Sequence, residues 1–264
     1  MSDFVVIKRE KKEGIDMNWG TFSLTHIITL FLAAGIITAL YFLLRKKPQK
    51  TQTAVLGTLS FLGIAAIIYE FFFKGEPLYN IPLHLCSFNA MILPIVVFTR
   101  NKTLGNLLLV WCLGALAALV LNYDMTEAKL FSWNVFFYYF PHVVEFGIPI
   151  LLFLLGHIKK DPKCILSTVG ITMVIYTLVH FANLGINAYA AANNITYGAD
   201  SAIQVNYMFS LRPNNPLVEL FYSWIPHQYW YMFLVLPIVV VYLLFIYAPE
   251  IIRYFKKKKT GVAL

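Results

Sequence analysis

Seven apolar runs of about 18–23 residues constrain this chain more than any other feature. Each is long enough to cross roughly 30 Å of hydrocarbon as a helix. They fall at about 22–44, 53–73, 81–99, 104–121, 135–156, 164–184 and 229–248. Composition agrees: 59% of the 264 residues are apolar and 13% charged, with a mean hydropathy of +0.68. The formal charge of +8 would suit a soluble nucleic-acid binder, but that hydropathy would not. A disordered basic chain is excluded by 22 Phe and 16 Tyr. The expected fold class is therefore all-α, a polytopic membrane protein with seven transmembrane helices and a long external loop before the last. No polar linker separates two bundles, so residues 1–264 read as one transmembrane domain that ends in a basic tail, 249–264.

The first run follows Lys8, Arg9, Lys11 and Lys12 and is too long for a signal-peptide core, so it reads as a retained span. Three cysteines (Cys86, Cys112, Cys164) are too scattered for a disulfide framework. Gly114 and Ala118 form a small-xxx-small pair in the fourth run, a helix-contact signal. The segment 185–228 is the one long connection, and its aromatics mixed with Asn206, Arg212 and Glu219 fit a surface-lying or re-entrant segment. An interfacial aromatic belt fits that mixture equally well.

Basic residues are sorted by side. Loops 45–52, 100–103 and 157–163 and the tail carry 14, against 7 in the N-terminal tail and the other connections. The positive-inside rule then puts the N-terminus outside and the C-terminus in the cytoplasm of a cell-membrane protein. The basic loops and the Lys256 to Lys259 run would touch anionic lipid, and no nucleic-acid partner is implied.

Ionisable residues within spans are costly and mark functional candidates. Here they are His26, Glu70, His84, His142, Glu145 and His180, joined by Cys86, Asn89 and Asn183. Span direction puts all nine in the outer half of the bilayer, around a cavity opening outward. His26 and Glu70 lie near span ends, where interfacial water is the simplest partner, and Glu70 could instead pair with Lys74. His180 and Asn183 share a helix face, as hydrogen bonding between helices would also require. Cys112, among Leu, Gly and Ala, reads as packing.

The densest constellation is Ile81-Pro82-Leu83-His84-Leu85-Cys86-Ser87-Phe88-Asn89 with Pro141-His142-Val143-Val144-Glu145. Pro82 suits a first helical turn, which would set Cys86 near a helix N-terminus whose dipole favours a thiolate. His84 and Cys86, two apart, are about 200° around a helix, so His142 is the better base for Cys86. Glu145, three residues after His142, shares its face and could orient it. A cysteine, a histidine base and a third group behind it are the parts of covalent acyl transfer.

Pro82-Leu83-His84-Leu85-Cys86, His142, and Asn206-Tyr207-Met208-Phe209 with Arg212-Pro213 resemble the YwaF-like bacterial integral membrane proteins and the eukaryotic transmembrane protein 164 family. The likeness covers most of the chain. It implies acyl transfer among phospholipids, with Cys86 as acyl-accepting nucleophile and His142 as general base. Where the relatives tend to a Gly-Pro-Trp-Pro-like turn, this chain reads Tyr222-Ser223-Trp224-Ile225-Pro226-His227, which points to a different substrate mouth.

The leading expectation is thus a membrane-embedded acyltransferase or acyl hydrolase acting on membrane phospholipid at the outer leaflet. Cys86, His142 and Glu145 are its catalytic candidates; His84, Asn89, His180, Asn183, Asn206, Tyr207 and Arg212 are its substrate-binding candidates. No cofactor or metal belongs to that reading. A transporter or solute-binding protein would use the same groups to line a pathway, but the inner half lacks matching polar groups. A zinc enzyme would draw on His84, Cys86, His142 and His180 or Glu145, against the spacing problem noted for His84. A structural protein would use them only to join helices.

Overall fold

The structure, a computed structural model, describes residues 19–73, 77–122, 125–129, 132–197 and 201–259, without the side chains of Glu70, Ser201, Tyr254 and 257–259. The N-terminal Lys8, Arg9, Lys11 and Lys12, the side chains of Lys257 to Lys259, and any Glu70–Lys74 pair lie outside the described residues. The apolar runs become α1 (Leu24–Leu44), α2 (Gln49–Phe73), α3 (Leu85–Thr99), α4 (Lys102–Leu121), α5 (Trp133–Leu154) and α6 (Ile165–Ala192). After these come α7 (Pro216–Trp224) and α8 (Val235–Lys259), and a two-residue antiparallel pair joins Thr196–Tyr197 to Ser201–Ala202.

Side-chain caps set several of the starts. Ser23, Asn101, Ser132 and Asn215 each accept from a first-turn N–H of α1, α4, α5 and α7. At two ends a non-glycine residue closes the helix in the left-handed region, Arg100 after α3 and Asn122 after α4.

Among the described residues, six helices are long and apolar enough to cross a membrane. The seventh expected span is not among them: the third run forms α3, an apolar helix of only 15 residues, about 22 Å long. Pro82 does not open it. The chain stays irregular through His84, which caps α3 from an extended backbone, so Cys86 is the second helical residue. The long connection is also shorter than expected, because α6 continues to Ala192.

Leu93 and Val97 of α3, Leu108 and Trp111 of α4, and Ile148 and Leu152 of α5 make the core, each at most 2% exposed. Trp111 donates its indole N–H to Thr172 Oγ1 of α6 at 2.9 Å. Gly114 does serve a close contact, since a Cβ there would sit 3.2 Å from Leu85. On the outside, Phe31, Leu166 and Phe245 are at least 75% exposed. An apolar exterior around an apolar core is what a bilayer solvent requires.

The two ends of the bundle differ. Loops 45–48, 100–101 and 155–164 and the end of α8 interlock at one end. Gln52 donates to Leu44 O and Lys47 O and accepts from His157 Nε2 at 2.6 Å. Asn106 donates to Lys102 O and Lys159 O, and accepts from Asp161 N and from the Tyr247 hydroxyl. Lys160 donates to Ile246 O and pairs with Glu250, while Lys102 pairs with Asp161. The basic segments that sequence sorted to one side thus share one end. Gln52, Asn106 and His157 are nevertheless buried there, so the half expected to be the inner one does hold buried polar groups.

Candidate functional site

At the opposite end, residues 201–229 fold onto the bundle because α6 presents a polar stripe. Asn183 donates to Tyr207 O and Ser210 Oγ and accepts from Tyr207 N, at 2.8–2.9 Å. One turn on, Asn187 exchanges two hydrogen bonds with the Val205 backbone, and His180 Nδ1 meets Ser210 Oγ at 3.1 Å. Asn206 closes the next turn, donating to Arg212 O and accepting from Leu211 N and Arg212 N. Arg212 reaches back to Gln204, and the Tyr207 hydroxyl donates to Leu78 O. These bonds hold Met208 and Phe209 at φ 52° and 54°, a region unfavourable for side chains of that size.

His180, Asn183, Asn206, Tyr207 and Arg212 are therefore all engaged in holding this segment. His84 belongs with them: its Nδ1 accepts from Met208 N at 3.4 Å, and its ring lies 5.2 Å from Tyr207 and 5.9 Å from Phe209. The strained turn thus packs against the residue that caps α3, two positions before Cys86.

Cys86 itself faces α5. The ligating atoms of Cys86, His142 and Glu145 all lie within 4.8 Å of one another. His142 Nδ1 donates to Tyr138 O, one helical turn earlier, at 2.6 Å, which leaves the lone pair on Nε2. Its ring also packs 4.6 Å from that of Tyr138. Tyr138 is thus the residue whose carbonyl holds the His142 tautomer. Glu145 is 1% exposed, and its Oε2 has no hydrogen-bond partner.

The local reason for this pairing of helices lies in a proline. Pro149 has no N–H, so the carbonyl four residues earlier, that of Glu145, loses its intrahelical donor. Asn89 Nδ2 supplies the missing hydrogen bond from α3 at 3.2 Å. Asn89 is fully buried, and its Oδ1 has no partner. Glu145 stands twelve residues beyond Trp133, about 18 Å along α5. That is midway down the helix rather than in the outer half expected for it.

His26 is a second correction. It is completely buried instead of facing interfacial water, with Nε2 2.8 Å from Leu119 O and Nδ1 accepting from Phe22 N. It ties α1 to α4 and stands apart from Cys86. Cys112 is buried and reaches the Tyr242 hydroxyl at 3.6 Å.

An apolar cavity of about 740 Å³ opens between α1 and α5, lined among others by Ala33, Ile37, Phe140, Val144, Gly147 and Leu151. On α5 those residues form the stripe opposite His142 and Glu145. The cavity and the polar cluster are thus two separate faces of one helix.

Asn187, Ser210 and Tyr138 were missed from sequence. Asn187 carries a usable signal, because it continues the His180 and Asn183 stripe at i+7 and i+4. The Pro149–Glu145 offset of four was another. Tyr138 carries none, because it acts through its backbone.

No curated protein and no solved structure matches the chain. The TMEM164 family model matches residues 21–247, from just before α1 into α8. With six membrane-length helices and most of its residues inside that match, the chain is a membrane protein that belongs to the TMEM164 family.

Proposed function

We propose that the protein is a membrane-embedded acyltransferase or acyl hydrolase that uses Cys86 as nucleophile on a phospholipid ester. The observation that carries this reading is the meeting of Cys86, His142 and Glu145 within 4.8 Å, across two helices and away from the mainly structural polar groups. His142 Nε2 removes the thiol proton, and Sγ attacks the ester carbonyl to give a tetrahedral oxyanion. Collapse expels the lysolipid oxygen, which takes the proton from His142 and leaves a thioester on Cys86. His142 then deprotonates the acceptor hydroxyl or water, which attacks the thioester and restores the thiol.

Donors for the oxyanion come from α3. His84 provides no side-chain cap, and the first-turn N–H groups of this helix, beside Cys86, would turn to the oxyanion as it forms. Glu145, within 4.8 Å of His142, would favour the imidazolium there when it is ionised. The turn around Met208 borders the approach to Cys86 through His84, and would shape the substrate mouth.

The orientation that goes with this reading has the N-terminus outside, the C-terminus and the basic end in the cytoplasm, and the substrate entering from the outer leaflet. The basic loops and tail would rest on anionic lipid. Thioester trapping tests the mechanism. With labelled phospholipid, the wild type should acquire hydroxylamine-sensitive label that Cys86→Ala lacks. Active wild-type protein that never carries label would sink the covalent route.

A further inference from the structure

We infer that Cys86, His142 and Glu145 also form a binding site for one zinc ion, and that the metal-bound state is closed to acyl transfer. The first half stands on geometry alone; the second rests on the acyl-transfer reading above.

Three donors of the kinds zinc takes, a sulfur, an imidazole nitrogen and a carboxylate oxygen, converge within 4.8 Å from two packed helices. Zinc bonds of roughly 2.0–2.3 Å put tetrahedral ligands about 3.5 Å apart, so the three must draw together by about 1 Å. Side-chain rotation on Cys86 and Glu145 covers that. His142 is already arranged as a metal ligand, because its Nδ1–H is fixed on Tyr138 O at 2.6 Å and Nε2 carries the lone pair. His84, His180 and His26, the other histidines at this end of the spans, are engaged with Met208 N, Ser210 and Leu119 O.

An independent observation points to a cation. Glu145 is 1% exposed, and its Oε2 lies buried without a hydrogen-bond donor. A buried carboxyl group so placed has a lone pair with nothing to receive it. Charge completes the argument. A thiolate and a carboxylate together carry two negative charges in apolar surroundings, and one divalent ion cancels both. The thiolate selects zinc over magnesium or calcium, which prefer all-oxygen sites. Three protein ligands leave a fourth position for water.

Binding is an exchange without redox change. Zinc takes the sulfur lone pair as the thiol proton leaves to solvent, with the carboxyl proton where one is carried. While zinc is bound, the lone pairs of Sγ and Nε2 are both committed, so Cys86 cannot attack an ester and His142 cannot accept a proton. Removal of the ion restores both.

The test uses the purified full-length chain in detergent micelles, stripped with chelator and then dialysed against zinc. We expect about one zinc per chain by elemental analysis, falling at least about tenfold in affinity in Cys86→Ser and in Glu145→Gln. Cobalt in place of zinc should give a thiolate charge-transfer band that Cys86→Ser lacks. Cys86→His, which keeps a metal ligand and removes the thiol, should retain zinc and form no thioester, which also guards against a merely misfolded variant. Stoichiometry well below one, or one unchanged in both Cys86→Ser and Glu145→Gln, overturns the site. Zinc should suppress thioester labelling of the wild type and chelator should restore it. Labelling that persists on the zinc-loaded protein overturns the inhibitory half. Absence of label with and without metal counts against acyl transfer and against inhibition, while the stoichiometry and the cobalt spectrum still decide the site.

Discussion

Two fully buried asparagines, one at the basic end of the bundle and one beside Cys86 and Glu145, show what distinguishes its clasp from its site. Asn106, at the basic end, has four partners: two carbonyls receive its Nδ2, and a backbone amide and a tyrosine hydroxyl donate to its Oδ1. Asn89, on α3, gives Nδ2 to one carbonyl and leaves Oδ1 with none. Burying a polar atom unpaired costs about 1–3 kcal/mol, so the first arrangement stabilises while the second is retained at a cost. Glu145 Oε2, on the residue whose carbonyl Asn89 meets, repeats the second pattern. Here an unpaired amide oxygen and an unpaired carboxyl oxygen stand beside a cysteine and a histidine, a setting that suits a substrate or a metal.

The comparison predicts that activity and stability separate by end, and the largest effect belongs to the site. His142→Gln removes the base and should lower thioester formation by a factor on the order of 10²–10⁴. The thermal midpoint of unfolding should stay close to that of the wild type. A stability loss as large as the activity loss would place His142 among the structural residues.

At the clasp the pattern should invert. Asn106→Ala leaves two carbonyls, an amide and a hydroxyl without partners at once, and should cost about 3 kcal/mol of stability. Thioester formation per folded molecule should not change. If labelling by the folded fraction drops with Asn106→Ala, the two ends are coupled and the division fails.

A smaller effect tests why α3 and α5 meet where they do. Pro149→Ala returns an N–H to the Glu145 carbonyl, so Asn89 is no longer needed there. Asn89→Ala should therefore cost about 1 kcal/mol less in the Pro149→Ala background than in the wild type. Equal costs in both backgrounds would remove the proline from the explanation.

How much of this was legible in the sequence depends on whether the signal was local. The helices were, because apolar length alone predicts them in a bilayer. The pairing of Cys86 with α5 was legible in part, since helical spacing turns His84 away and puts His142 and Glu145 on one face. The start of α3 was not. Pro82 reads as a first-turn residue, but tertiary bonds from Tyr207 to Leu78 and from Met208 to His84 keep residues 77–84 irregular. The role of Asn183 was hidden for the same reason, because a side chain that binds a backbone 24 residues away leaves no periodic trace. Attention to ionisable groups also passed over Asn106 and Gln52, neutral residues whose burial creates the clasp.

The smallest expected effect concerns pH at the clasp, and it follows from His157. This side chain is 8% exposed; its Nε2–H donates to Gln52 Oε1, and its Nδ1 is buried without a partner. A second proton would have to enter at that Nδ1. Burial, and then the positive charge of Arg100, hold its pKa below the ordinary 6.5. The unfolded chain therefore takes up the proton first as pH falls, and stability declines with it. The stabilisation is complete above about 6.5 and is lost as pH drops through the lower folded value. Asp161 acts in a separate window, because its hydrogen bond to Lys102 holds it below the ordinary 3.8, and its contribution goes only under more acid conditions. Thermal unfolding from pH 7.5 to 5 should thus show a falling midpoint for the wild type. His157→Gln keeps an amide donor for Gln52 but cannot take a proton, so its midpoint should fall less over that range. Parallel slopes in the two proteins would assign the pH response to other groups.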